Sequence, residues 1–208
     1  MSLRSLYELL FRPWPPIRDV AELADFIDAQ SAFVAQKGIY EYARARAGHY
    51  AKVMFAEQEF IDAADRSRWR AYPLGLAMVG ALVEGVLRRH AGDDPAAVLE
   101  ALRRLVLAVF DRYPVPSALG PDAWSEGRAE LARRLQSIGL HPPKRVIDIP
   151  EPFYKTYFDL MPIHKNLRSR DLLTTHSYLR LTLCHIHEEL TRRMDAPALL
   201  GSLRGGNG

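Results

Sequence analysis

Apolar side chains recur at helical spacing along most of the chain. One run follows Asp19, whose spacing to Glu22 is that of a capping box, so we expect a long helix from about Val20 to Ala47. Its expected buried face consists of Leu23, Phe26, Ile27, Phe33 and Val34. No segment alternates convincingly at period two, which is the signature of a half-buried strand. The pattern therefore predicts helices and no sheet.

Turn and capping residues set the ends of five more predicted helices. These run from about Glu57 to His90, Asp94 to Tyr113, Pro121 to Ile138, Phe153 to Met161 and Asp171 to Met194. Pro73 predicts a kink or boundary in the first of them. Glycine is costly inside a helix unless close packing uses it, so the glycines 75, 80 and 85 predict a helix that crosses tightly.

These elements predict an all-α fold, an irregular multi-helix bundle with long kinked helices. We expect an N-terminal arm over residues 1–16, a single helical domain over 17–195 and a flexible tail over 196–208. The arm is short and amphipathic, and the stretch RPWPP separates it from the body. Its apolar strip consists of Leu3, Leu6, Tyr7 and Leu10.

Composition places the chain among globular proteins of a reducing compartment. It has 208 residues, 48% of them apolar, and a single cysteine, Cys184. The start lacks the features of a secretory signal, and the longest uncharged apolar run, Ala71 to Val83, is shorter than the roughly 20 residues of a membrane-spanning helix. The expected location is the cytoplasm, with a peripheral position at the inner membrane as an alternative.

Nucleic-acid binding is not favoured. The net charge is only +3, and no phosphate-binding glycine loop is present. The segment from Ala129 to Ile149 looks like a helix-turn-helix, but Pro150 makes its second element too short to follow a major groove.

The last predicted helix carries three histidines but no metal-binding spacing. His176 and His185 are nine positions apart and face opposite sides, while His176 and His187 are about 16 Å apart along the axis. Cys184 and His187 could touch, but a helix interior rarely exposes a thiolate and no third orienting group is evident. We expect no metal, no cofactor and no catalytic residue here, with Cys184 as a core residue.

Three residues are candidates for an internal pocket: His176, Glu84 and Tyr72. His176 falls inside the aliphatic stripe formed by Leu172, Leu179, Leu183, Ile186 and Leu190. A polar ring there is either a hydrogen-bonded core histidine or a group that points into a pocket. Glu84 either forms a surface ion pair with Arg88, four residues on, or is an ionisable group in a dry site.

Aromatic side chains form a dense face on the short predicted helix. They are Phe153, Tyr154, Tyr157 and Phe158. Such a face is either a lid on the core or a contact surface.

The stretch from Trp124 to Tyr157 resembles the central part of the ubiquinol-cytochrome c chaperone family. The residues that carry the resemblance are Leu131, Leu135, Gly139, Leu140, Pro143, Lys144, Arg145, Val146, Phe153, Tyr154 and Tyr157. The resemblance covers under a quarter of the chain. It implies a helical, partner-binding assembly factor that works near a membrane, and it brings no catalytic residues.

Two functional hypotheses follow. The first is a non-enzymatic helical binding or assembly protein, whose arm and aromatic face contact a protein partner, a second subunit or a lipid surface. The second is a small-molecule binder or enzyme in which His176, Glu84 and tyrosines such as Tyr72 line a pocket between helices.

Overall fold

The computed structural model describes residues 15–92, 94–162 and 171–205. Its α-helices are α1 (Val20–Ala47), α2 (Ala51–Met54), α3 (Gln58–Arg88), α4 (Pro95–Phe110), α5 (Pro121–Ser137), α6 (Tyr154–Asp159), α7 (Leu172–Arg193) and α8 (Ala196–Gly205). Short 3-10 turns occupy Gly48–Tyr50 and Val146–Asp148. No β-strand occurs in these ranges, so the predicted all-α bundle is confirmed.

Predicted caps start two of the long helices. The Asp19 side chain accepts a hydrogen bond from the Glu22 backbone at 2.8 Å, and Glu22 accepts one from the Arg18 backbone at 2.7 Å. The Asp94 carboxylate accepts from the Ala97 backbone at 3.0 Å and starts α4. The bonds to Asp19 and Asp94 satisfy amide groups of the first helical turn that have no partner within the helix.

Helix α3 forms the centre of the bundle. It packs against α1, α4, α5 and α7, and every residue from 71 to 80 is buried. Among the described residues, α3 is the one helix long and apolar enough to cross a membrane, yet 83% of its most apolar window is buried inside the bundle. That burial is what the core helix of a globular protein requires.

Of the glycines 75 and 85 of α3, Gly75 marks the predicted close crossing of another helix, whereas Gly85 does not. A Cβ at Gly75 would lie 2.7 Å from the Ser31 carbonyl oxygen of α1, so a helix does cross tightly there. At Gly85 the nearest atom is 3.6 Å away and belongs to Pro143 of the connector between α5 and α6, not to a helix. The boundary that Pro73 predicted does not occur, because α3 continues through it.

Two other expectations are wrong. Phe33 was expected on the buried face of α1, but it is 42% exposed, since it lies one residue and about 100° away from the buried Val34. Residues 196–205 were expected to belong to a flexible tail, but they form α8. Its leucines 199, 200 and 203 share an apolar face that packs against α4 and α1.

Candidate functional site

His176 lies on α7 beside the connector. Its side chain is 14% exposed, and Nε2 lies 3.0 Å from Oε1 of Glu151, an ion-pair distance without hydrogen-bond alignment. The imidazole also packs on the Tyr154 ring, with 4.5 Å between the centroids. His176 therefore joins α7 to the connector and the start of α6.

Glu84 is buried, with 5% of its surface exposed. Its carboxylate accepts a hydrogen bond from Nε of Arg88, one turn further along α3. Arg88 in turn donates to the His141 carbonyl at 2.9 Å. A buried carboxylate needs such a partner, and this pair lines a cleft of 230 Å³ under the connector.

Tyr72 belongs to a third cluster, centred on Asp28 of α1. The Tyr72 hydroxyl donates to Oδ1 of Asp28 at 2.7 Å, and the Tyr113 hydroxyl donates to the same atom at 2.9 Å. Burial first, and then the bond to Asp28, raise the pKa of both tyrosines above the usual value. Asp28 and Tyr113 are 85 residues apart, so no local sequence pattern could have predicted this cluster.

The three pocket candidates therefore have separate partners. His176 contacts Glu151 and Tyr154, Glu84 contacts Arg88, and Tyr72 contacts Asp28. The structure does not bring them together around one cavity.

The aromatic face expected as a contact surface is mostly buried. Phe153, Tyr157 and Phe158 are less than 9% exposed, and only Tyr154 is partly accessible. The Tyr157 hydroxyl donates to the Val34 carbonyl at 2.6 Å, and burial raises its pKa. In this conformation the face packs into the core and cannot serve as an external surface. The arm candidates Leu3, Leu6, Tyr7 and Leu10 lie outside the described residues.

A groove between α1 and α7 carries an exposed large apolar side chain on each wall. Its volume is 600 Å³. Phe33 stands on the α1 wall at 42% exposure, and Leu181 on the α7 wall at 63%. The lining residues are Ala29, Gln30, Phe33, Lys37, Tyr178, Leu181, Thr182, His185, Ile186 and Glu189.

Polar groups sit at the rim of this groove. Nζ of Lys37 lies 4.7 Å from the centroid of the Phe33 ring, a cation–π distance. At the opposite end, Glu189 accepts from the Gln30 amide at 3.0 Å and from the Arg193 guanidinium. The negative charge of the Glu189 carboxylate is thus balanced by Arg193. The contact of Lys37 in the described part of the chain is with an uncharged aromatic ring.

A second cavity adjoins the groove at Tyr178. That side chain also lines this smaller cavity of 200 Å³, together with Gly38, Tyr42 and Met161. Burial raises the pKa of the Tyr178 phenol above its usual value.

Sequence reasoning missed the groove residues although a signal was present. Leu181 lies off the buried stripe, two positions from both Leu179 and Leu183, so an apolar residue faces outward there. Nothing local, however, indicated that α1 would place Phe33 opposite it.

Within the described ranges, no group of three or more His, Cys, Asp or Glu side chains could hold a metal ion. Cys184 is a free thiol and only partly buried, so it is not the fully enclosed core residue that was expected. Comparisons with family models, with curated proteins and with solved structures gave no match to this chain.

Proposed function

We propose that this protein is a non-enzymatic, helical binding protein of the assembly or chaperone type, located in the cytoplasm. Its groove between α1 and α7 takes up an amphipathic helix of a protein partner. The observation that carries the proposal is the pair of exposed apolar walls, Phe33 and Leu181, over the buried Ile186. Apolar surface of this kind is stabilised when a partner removes it from water.

The dimensions of the groove suit a helix. Its α1 wall runs from Ala29 to Lys37, which corresponds to about 12 Å of helix or roughly two turns. Two turns present apolar anchors at positions i, i+3 or i+4, and i+7, the usual pattern of helix-in-groove recognition.

The charged side chains at the rim of the groove indicate which charge a partner helix should carry. Glu189 is neutralised by Arg193, whereas Lys37 adds a positive charge at the rim. A partner helix with a carboxylate beside its apolar stripe can pair with Lys37, and a basic helix is repelled by it. We therefore expect an acidic amphipathic helix.

The test uses a fluorescently labelled acidic amphipathic peptide and measures its anisotropy with the purified full chain. Leu181→Glu should weaken binding by about tenfold or more, since it places a charge in the apolar wall. Leu173→Glu is the matched control, because Leu173 is on the same helix, is 71% exposed and does not line the groove. Lys37→Glu should shift the preference to a basic peptide with the same apolar stripe.

Equal binding to the Leu181 and Leu173 variants would overturn the proposal. Tighter binding of a peptide of residues 1–12 than of the acidic peptide would assign the groove to the N-terminal segment of this chain instead. Thermal melts of each variant establish that the fold is intact.

A small-molecule binder or enzyme is the second candidate, and the buried Glu84 favours it, because Glu84 lines the connector cleft. A small molecule that copurifies with the wild type and is lost in Glu84→Gln would support it. The resemblance of residues 124–157 to the ubiquinol-cytochrome c chaperone family agrees with the first proposal and remains a prediction.

A further inference from the structure

The corner between α1 and α3 is a built structure at one end of the bundle. Helix α1 ends at Ala47, and Gly48, with φ of 53°, turns the chain into the 3-10 turn and α2. The Phe55 ring then packs against Tyr40 and Phe60, with centroid distances of 5.9 and 4.9 Å. These ring contacts hold the corner against the two long helices.

The same corner leaves two apolar side chains in solvent. Tyr50 is 78% exposed and Val53 is 60% exposed. Three residues apart on a helical turn, they lie on one side of it. Neither is needed for the contacts of Phe55, so the fold itself does not account for their exposure.

Basic residues surround this pair. The sequence from 42 to 56 contains no acidic residue, but it contains Arg44, Arg46, His49 and Lys52. Arg46 pairs with Asp171 at 2.7 Å, and the other three side chains are exposed. The corner thus combines exposed basic side chains with a small exposed apolar surface.

We propose that this corner binds the surface of a lipid bilayer that contains anionic headgroups. Tyr50 and Val53 enter the interface between headgroups and acyl chains, and Arg44 and Lys52 contact the headgroup phosphates. Interfacial binding requires this combination of apolar insertion and electrostatic attraction. A nucleic acid would use the basic side chains, but it offers no apolar medium to Val53.

The proposal goes beyond the groove, since the two surfaces share no residue. The corner lies past Lys37 on α1, and its test does not depend on any protein partner.

The test is co-sedimentation of the full chain with vesicles of phosphatidylcholine, with and without phosphatidylserine. Binding should require phosphatidylserine and weaken as salt screens the charges. Arg44→Gln with Lys52→Gln should weaken it by about fivefold for each charge removed. Tyr50→Ser with Val53→Ser should also weaken it while the salt dependence stays.

The matched control is Val115→Ser with Leu140→Ser, which removes two exposed apolar side chains elsewhere, at 48% and 72% exposure. This variant should bind as the wild type does. Equal binding to both kinds of vesicle, or an equal loss in the control, would overturn the proposal. Tighter binding of a single-stranded oligonucleotide that responds to the charge variant but not to the Tyr50 and Val53 variant would assign the corner to nucleic acid.

Discussion

Replacing Gly75 with alanine tests a close backbone contact between two helices of the bundle. Gly75 of α3 faces Ser31 of α1, and an added Cβ would lie 2.7 Å from the Ser31 carbonyl oxygen. The Ser31 carbonyl and the Cα that carries the new methyl group both belong to helix backbones. Neither can move away by rotation about a side-chain bond. The two central helices must move apart to accommodate one methyl group.

The sign of the effect follows from two opposing terms. Alanine is favoured over glycine inside a helix by about 0.5–1 kcal/mol. Overpacking of a well-packed core costs about 1–3 kcal/mol. The distance of 2.7 Å is well inside the 3.4 Å at which ordinary contact begins, so the clash dominates. We expect a net destabilisation of about 1–2 kcal/mol.

Gly85→Ala is the internal control on the same helix. Its nearest neighbour would be Cβ of Pro143 at 3.6 Å, an ordinary contact. Only the propensity term remains, so this variant should be stabilised by about 0.5–1 kcal/mol. Urea unfolding followed by circular dichroism at 222 nm measures both. A Gly75→Ala protein as stable as the wild type, or as stable as Gly85→Ala, would refute the close crossing.

Two further predictions concern stability. Burial raises the pKa values of Tyr72, Tyr113 and Tyr157 in the folded state. Their contribution to the free energy of unfolding is therefore complete below the pKa of unfolded tyrosine, and it is lost as the pH rises from there towards the folded-state pKa. The free energy of unfolding should thus fall above about pH 10, by about 1.4 kcal/mol per pH unit for each tyrosine ionised only in the unfolded chain. In urea titrations across this range, Tyr72→Phe should reduce that slope, and an unchanged slope would contradict the burial of its hydroxyl. Truncation after Asp195 should lower the melting temperature markedly, because it removes the buried Leu199 and Leu203. An unchanged melting temperature would instead support the prediction that this segment is a flexible tail.

The helices could be predicted because their signals are local. The capping residues Asp19 and Asp94 and the apolar stripes lie within a few turns of the helix ends that they determine. The tail was mispredicted for the same reason. Leu199 and Leu200 form too short an apolar pattern to predict a buried helix. Their burial depends on contact with α4, which lies almost a hundred residues earlier in the sequence.

The polar candidates could be identified in sequence, but their surroundings could not. Glu84 with Arg88 is the exception, since a spacing of four residues on a helix predicts their contact. The partner of His176 is Glu151, and the partner of Tyr72 is Asp28. Only the tertiary fold brings these partners into contact. A polar residue in an apolar stripe therefore indicates that a partner exists without indicating which one.

Exposed apolar side chains are a second indication of a functional surface. They indicate one only where several of them lie together. A single exposed leucine is normal on a globular surface, so Leu140 at 72% exposure needs no explanation. Phe33 and Leu181 differ because they face each other across one groove, and Tyr50 and Val53 differ because they share one turn. Each pair is a small apolar surface with basic side chains beside it, Lys37 in one case and Arg44 and Lys52 in the other. A bundle that needs neither pair for its own packing keeps them available to something outside it, which is why functional tests belong at these pairs rather than at the buried polar clusters.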